Sequence, residues 1–144
     1  MKLAFINKTP VKISSDPFQR ILKATEKELK IKKKGEITLI ITNDQEVKKL
    51  NRDYRKQNQP TDVLSFSYLE KDSFPKDKNL GEIIISIEKA KRQAESHKYD
   101  LKTELNKLFI HGILHIFGFK HNLDEEFYTM NSLEEKILKS QKGG

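Results

Sequence analysis

The chain of 144 residues has the length of one domain, with 35% hydrophobic and 34% charged residues. Lysine and arginine outnumber aspartate and glutamate by 28 to 21, which gives a net charge of +7. The lack of cysteine excludes disulfides, thiolate zinc sites and a cysteine nucleophile, and no apolar run predicts a signal peptide or a membrane segment. We therefore expect residues 1–144 to form a single cytoplasmic domain with a basic surface.

Strands and helices alternate in the first half of the chain. Lys2–Ile6 is predicted as a short strand and Glu36–Thr42 as a strong one, because apolar residues dominate both segments. A helix is predicted to open at Ser14–Pro17, with a capping side chain and proline at the first helical position. Asn43 is predicted to cap a second helix, which residues 58–60 then break.

The second half of the chain begins with two strands and continues with helices. Asp62–Leu69 and Leu80–Ser86 are predicted to pair as an antiparallel hairpin, because the loop between them is too short for a helical crossover. Helices are predicted at about 88–97, 101–117 and 124–140. This order predicts an α+β fold, or a mixed one, in which a mixed sheet of about four strands packs with about five helices.

Three of the four histidines lie within eleven residues, at His111, His115 and His121. His111 and His115 are four residues apart, so on a helix their imidazoles share one face and two nitrogens can converge on one ion. Gly118 can end that helix in the left-handed conformation and turn the chain, which would bring His121 back as a third ligand. Three protein nitrogens with one open position are typical of catalytic zinc.

An alternative interpretation is a pair of core histidines hydrogen-bonded to the backbone, since the His-x-x-x-His spacing also arises by chance. The surrounding helix is apolar nearly all round, and buried imidazoles need partners, which favours a metal. Three imidazoles suit zinc, although nickel, copper or iron would bind the same nitrogens. His97 lies in a polar segment and is predicted to be a surface residue.

The residue after the first histidine separates two kinds of chemistry. The zinc-protease motif His-Glu-x-x-His uses its glutamate as the general base. Gly112 occupies that position here. A peptidase of that mechanism would lack its proton acceptor, so the pattern disfavours proteolysis.

The segment His111–His121 resembles the H-G-x-L-H-L-x-G-Y-D-H motif of the YbeY family of bacterial rRNA maturation endoribonucleases. Three further segments are similar to other blocks of that family, in the same order. Leu50–Arg55 resembles L-N-x-x-Y-R, Pro60–Phe66 resembles P-T-D-V-L-S-F, and Leu80–Ile85 resembles L-G-D-I.

The chain departs from the family pattern at three positions. Lys120 replaces the aspartate that usually precedes the third histidine, Glu82 replaces the aspartate of L-G-D, and Ser67 stands where proline is common. The three histidine positions are intact.

The resemblance implies a zincin-like fold and a zinc-dependent endoribonuclease that acts on single-stranded RNA. It implies a role in maturation of the 16S rRNA 3′ end and in ribosome biogenesis and quality control. The implied cofactor is one Zn²⁺ per chain, held by His111, His115 and His121. The implied partners are rRNA of the small ribosomal subunit and ribosome-associated proteins.

Arg55 falls on the functional arginine of the family, and a guanidinium can stabilise the charge that builds on a phosphodiester. A salt bridge from Arg55 to Asp53 or Asp62 is the alternative. Other residues near this block are candidates for RNA binding, with solvated-surface, capping or turn roles as alternatives: Arg52, Lys56, Thr61, Asp62 and Ser65.

Two other functions remain open on the sequence alone. The chain could be a non-catalytic RNA-binding factor of ribosome assembly whose metal is structural, or a metallohydrolase of other substrates. Chelation separates the first of these from an enzyme, because a structural metal contributes its binding energy to folding.

Overall fold

Four strands form one mixed sheet in the computed structural model, which describes residues 1–55, 63–69, 79–118 and 132–139, without the side chains of residues 54 and 55. The central strand β2 is parallel to β1 on one side and to β4 on the other, and β3 is antiparallel to β4. The predicted hairpin strands therefore pair as expected, and β3 lies at an edge of the sheet. The strands are β1 (Lys2–Asn7), β2 (Glu36–Thr42), β3 (Val63–Ser67) and β4 (Asn79–Ser86).

Five helices surround the sheet in the described part of the chain, and the predicted α+β architecture is confirmed there. None of these helices combines the length and hydrophobicity needed to cross a bilayer. The segment predicted as helical at 124–140 is described only over residues 132–139, where it is a helix. The helices are α1 (Asp16–Glu28), α2 (Asp44–Arg55), α3 (Ile87–His97), α4 (Leu101–Ile116) and α5 (132–139).

Different helices cover the two faces of the sheet. Ile83 of β4 points into the main core, which it shares with residues of α1, α4 and α5. Ile84, the next residue, points the other way and packs with Val47 of α2 and Leu64 of β3. Because successive side chains of a strand point to opposite faces, α2 and α4 lie on opposite sides of the sheet.

The two helix starts predicted from capping residues turn out differently. Helix α1 begins at Asp16, so Pro17 is its second residue, and the Ser15 side chain makes no capping hydrogen bond. Ser15 has helical backbone angles, φ −80° and ψ −14°, whereas capping side chains usually project from an extended residue. Ser15 therefore does not cap α1, and the Ser14 hydroxyl instead accepts a 3.3 Å hydrogen bond from the backbone N–H of Asp16. Asn43 caps α2 as predicted, because its Oδ1 accepts a hydrogen bond from the backbone N–H of Glu46 at 2.8 Å.

Candidate active site

Helix α4 carries His111 and His115 and packs directly against β4 at Gly112. A Cβ atom added to Gly112 would lie 2.8 Å from Cγ2 and 3.0 Å from Cγ1 of the fully buried Ile83. The position that holds the glutamate in the zinc-protease motif therefore lies at a helix–sheet contact where even a Cβ atom would overlap Ile83. A side chain at position 112 could be accommodated only if Ile83 or the helix moved.

The last turn of α4 is attached to the edge strand β3. The Ser67 hydroxyl donates a hydrogen bond to the carbonyl oxygen of Ile116 at 3.0 Å. A Cβ atom on Gly81 would come within 2.7 Å of both the Ile116 side chain and the Phe66 carbonyl oxygen, so glycine permits this close approach. The serine that departs from the family pattern thus holds the histidine-bearing end of the helix.

The two imidazoles converge as their spacing predicts. The Nε2 atoms of His111 and His115 are 2.9 Å apart, and the ring centroids are separated by 4.5 Å. Nδ1 of His111 lies 3.0 Å from Oε1 of Glu134 on α5. This distance allows Nδ1 to donate a hydrogen bond to the carboxylate, and in the tautomer that does so the Nε2 lone pair faces His115.

This donor set fits a metal ion. Two nitrogens 2.9 Å apart can both lie about 2.0–2.1 Å from one zinc ion, with an angle of about 90° between the two bonds. A carboxylate on the remaining N–H of a ligating histidine is a common arrangement around zinc. Over the described residues, no group of three or more histidine, aspartate or glutamate side chains could hold a metal.

The predicted third ligand, His121, lies outside the described residues. The helix before that segment ends near Gly118, as the sequence predicts: α4 ends at Ile116, and Gly118 has a φ of +96°. The Gly118 N–H donates to the carbonyl oxygen of His115 at 3.0 Å and closes the last turn. The left-handed glycine that ends the helix is therefore confirmed.

The candidate RNA-binding residues fall on different parts of the fold. Arg52 is exposed on α2, and its Nε is 3.3 Å from Oδ1 of Asp53. Ser65 pairs with Ile83 and so lies on the face of β3 that is turned toward α4, with its hydroxyl oxygen buried. The remaining candidates lie outside the described residues: the Arg55 side chain, Lys56, Thr61 and Asp62.

The sequence analysis missed Glu134, the carboxylate beside His111. Its side chain is 12% exposed, and it lies next to Leu133 and Ile137, which pack into the main core. In the sequence, Glu134 is visible only as an acidic residue beside the apolar face of a predicted helix. That pattern does not indicate that it contacts His111. His97 is exposed as predicted, although its Nδ1 is 3.6 Å from Oε2 of Glu104, a buried residue.

Two carboxylates hold the N-terminal turn of α2, the helix that leads to Arg55. Hydrogen bonds from Lys8 and Thr42, both 2.8 Å long, lower the pKa of Glu46. Burial raises the pKa of Asp44, but hydrogen bonds from Ser86 and Arg92 outweigh it and the net pKa is lowered. Both groups are therefore ionised near neutral pH and hold α2 against the sheet.

The fold and the site together define an α+β protein with a paired-histidine site on a buried helix, without the carboxylate base of a zinc-protease. The sequence profile of the family described as Endoribonuclease YbeY matches residues 6–142. The chain therefore belongs to the endoribonuclease YbeY family, and it is an enzyme that acts on RNA.

Curated relatives carry the same name. Endoribonuclease YbeY of Heliobacterium modesticaldum is 44% identical over 115 residues, covering 74% of this chain and 69% of that protein. Endoribonuclease YbeY of Phytoplasma australiense is 38% identical over 142 residues, covering 96% of this chain and 94% of that protein. The solution structure of TM1509 from Thermotoga maritima has a TM-score of 0.63 at 24% identity, covering 98% of this chain and 92% of that chain, and shares its fold.

Proposed function

We propose that this protein is a metal-dependent endoribonuclease that cleaves single-stranded RNA during 16S rRNA 3′-end maturation, in the cytoplasm where ribosomes are assembled. The observation that carries the metal dependence is the 2.9 Å separation of the His111 and His115 Nε2 atoms. Family membership supports the RNA substrate. We propose residues 1–144 as one domain, since one core cluster runs from Phe18 on α1 to Ile137 on α5.

His111, His115 and His121 would hold one Zn²⁺. When bound, zinc supplies Lewis acidity and lowers the pKa of a coordinated water to about 7. The protein contributes the imidazole geometry, which α4 fixes through its contact with β4 and its bond to Ser67. Gly112 leaves the position after His111 without a base, so the proton of the attacking group must go elsewhere.

Two routes to cleavage are compatible with these residues. Water can attack the phosphorus and leave a linear phosphate, or the neighbouring 2′-OH can attack and leave a 2′,3′-cyclic phosphate. Arg55 is the proposed catalytic residue in both, because its guanidinium can stabilise the charge that builds on the phosphate oxygens. Analysis of the product ends distinguishes the two routes.

We propose an RNA path that connects the two faces of the sheet. Arg52 lies on α2 and the paired histidines lie on α4, across the sheet from it. RNA that contacts both would pass around an edge of the sheet, and β3 is the edge that we propose. Ser65 lies on β3, but its hydroxyl oxygen is buried and does not face RNA. Lys56, Thr61 and Asp62 connect α2 to β3 in the chain and are the remaining proposed RNA contacts.

Small-subunit rRNA is the proposed substrate, and ribosome-associated proteins are proposed partners. The net charge of +7 supports binding to a polyanion. An enzyme of this kind should bind RNA with an affinity that falls steeply as salt is raised, since each phosphate contact releases counterions.

The test combines elemental analysis with RNA cleavage. Purified protein is incubated with labelled single-stranded and duplex RNA, with and without a chelator, and folding is followed by circular dichroism. We expect cleavage of the single strand that stops on chelation, returns when zinc is added back, and leaves the protein folded throughout. Zinc-loaded protein that leaves RNA intact would contradict the proposal. Unfolding on chelation would favour the assembly factor with a structural metal.

A further inference from the structure

The Glu134 carboxylate contacts a histidine of the active site from a helix that is distant in the chain. Its Oε1 lies 3.0 Å from Nδ1 of His111, 23 residues away. Both side chains are shielded, with 12% of Glu134 and 26% of His111 exposed. A charge-assisted hydrogen bond in such a partly buried place is stronger than one in water.

The packing of α5 against the rest of the domain positions the Glu134 carboxylate. Ile137, one turn after Glu134, is 2% exposed in the main core. On the surface, Lys136 forms a 2.7 Å ion pair with Glu28 of α1. These two contacts attach α5 to the rest of the domain and bring Glu134 to the edge of the His111 ring.

The two nitrogens of an imidazole point away from each other, and Glu134 and His115 approach opposite ones. Nδ1 faces Glu134, while Nε2 faces Nε2 of His115. Glu134 therefore lies on the side of the His111 ring that faces away from His115, where it could not bind the same metal ion as the two Nε2 atoms. A hydrogen bond that the carboxylate accepts from Nδ1 would act on the ring itself, because it leaves the lone pair on Nε2.

We propose that Glu134 is a positioning residue for the zinc site: it fixes His111 in the Nδ1–H tautomer and aims its Nε2 lone pair at the ion. The inference rests on the proposed zinc site. Without the carboxylate, a neutral His111 would also populate the Nε2–H tautomer, in which Nε2 cannot bind a metal. Part of the binding energy would then go into restoring the correct tautomer and ring orientation.

The test measures zinc affinity by competition with a chromogenic chelator at one neutral pH, using the full chain. We expect Glu134→Ala to weaken zinc binding by about 10–100-fold, the usual effect of removing such a partner. Glu134→Gln should weaken it less, because the amide oxygen can still accept from Nδ1. Glu135→Ala is the matched control, since Glu135 is the exposed neighbour on the same helix, and it should bind zinc like the wild type.

A second readout isolates positioning from a purely structural role. Nitrogen-15 NMR of the zinc-free protein reports which ring nitrogen of His111 is protonated. We expect the Nδ1–H tautomer in the wild type and a mixture of tautomers in Glu134→Ala, with Glu134→Gln between them. If Glu134→Ala does not fold, the inference is tested by the zinc affinity and the His111 tautomer of Glu134→Gln instead.

The outcomes separate this inference from the proposed function. A wild type that takes up no zinc overturns the metal site itself. A wild type that binds zinc, with Glu134 variants that match its affinity and its His111 tautomer, overturns only the role of Glu134. Weaker binding together with a mixed tautomer supports it.

Discussion

Gly112 on α4 lies so close to Ile83 on β4 that one added methyl group would overlap it. The separation from the added carbon to Cγ2 of Ile83 would be 2.8 Å, and Ile83 is fully buried. Cγ2 is attached to the branched Cβ and cannot swing aside as the end of a long side chain could. The contact sets how closely the histidine-bearing helix approaches the sheet.

We expect Gly112→Ala to destabilise the protein even though alanine favours helices. The gain in helix propensity is about 1 kcal/mol, whereas overpacking a filled core typically costs about 1–3 kcal/mol. The net result should be a loss of stability of up to about 2 kcal/mol. Urea unfolding of the two proteins measures the difference.

The matched background for this substitution is Ile83→Ala, which removes the three atoms that crowd position 112. In that background Gly112→Ala should be neutral or stabilising, because the overlap is gone and the propensity gain remains. An equal loss in both backgrounds would show that the contact with Ile83 is not the cause.

We expect His111→Ala and His115→Ala each to lose bound zinc, because either change removes one of two converging nitrogens. The measurement is elemental analysis after purification in zinc-containing buffer, where the wild type should retain about one ion per chain. His97→Ala is the control, since His97 is exposed on another helix. Zinc retained at wild-type levels by both active-site variants would contradict the proposed site.

Ser67→Ala should destabilise the end of α4 by about 0.5–1.5 kcal/mol, the usual net value of one hydrogen bond. The bond lost is that from the Ser67 hydroxyl to the Ile116 carbonyl oxygen. Chemical denaturation measures the loss. Ser67→Thr keeps the hydroxyl and should recover most of the stability, so equal losses in the two variants would assign the effect to something other than this bond.

The lowered pKa of Glu46 predicts a stability difference that depends on pH. A carboxyl whose pKa is lower in the folded state stabilises the protein above its unfolded value, 4.5, and this contribution is lost as the pH falls through the folded value. We therefore expect Glu46→Gln to be less stable than the wild type at about pH 7, with a difference that shrinks below about pH 4.5. Thermal unfolding across this range measures it.

The control for that comparison is Glu95→Gln, a change at an exposed glutamate on α3. Its stability relative to the wild type should vary less between the two ends of the pH range. A Glu46→Gln difference that stays constant as the carboxyl is protonated would mean that the bonds to Lys8 and Thr42 do not depend on its charge.

We expect Arg55→Ala to lower RNA cleavage by about 100-fold, similar to the loss of one donor to a charged transition state. Its zinc content should stay at the wild-type level, because the proposed ligands are histidines. Single-turnover cleavage and elemental analysis of the same sample test both statements. Lys91→Ala, at an exposed cation on α3, is the control. Loss of zinc from Arg55→Ala would contradict the proposed role.

The strands, the helices, the shared helical face of His111 and His115, and the turn at Gly118 are local properties. The sequence by itself determined them. The four-residue spacing of His111 and His115 places both rings on one helical face, and the positive φ of Gly118 is what glycine alone adopts readily. The Ser15 side chain does not cap α1, because a capping bond depends on the backbone angles of Ser15, which the residue type does not fix.

Only the tertiary structure decided which distant residues meet. The packing of the helices puts α2 and α4 on opposite faces of the sheet, brings Ile83 against Gly112, and places Glu134 of α5 beside His111. Periodicity within a segment records which side of an element is buried, but it carries no information about the element that covers that side. The packing of the whole core selects these partners, because each apolar face is compatible with several others until all of them are buried together.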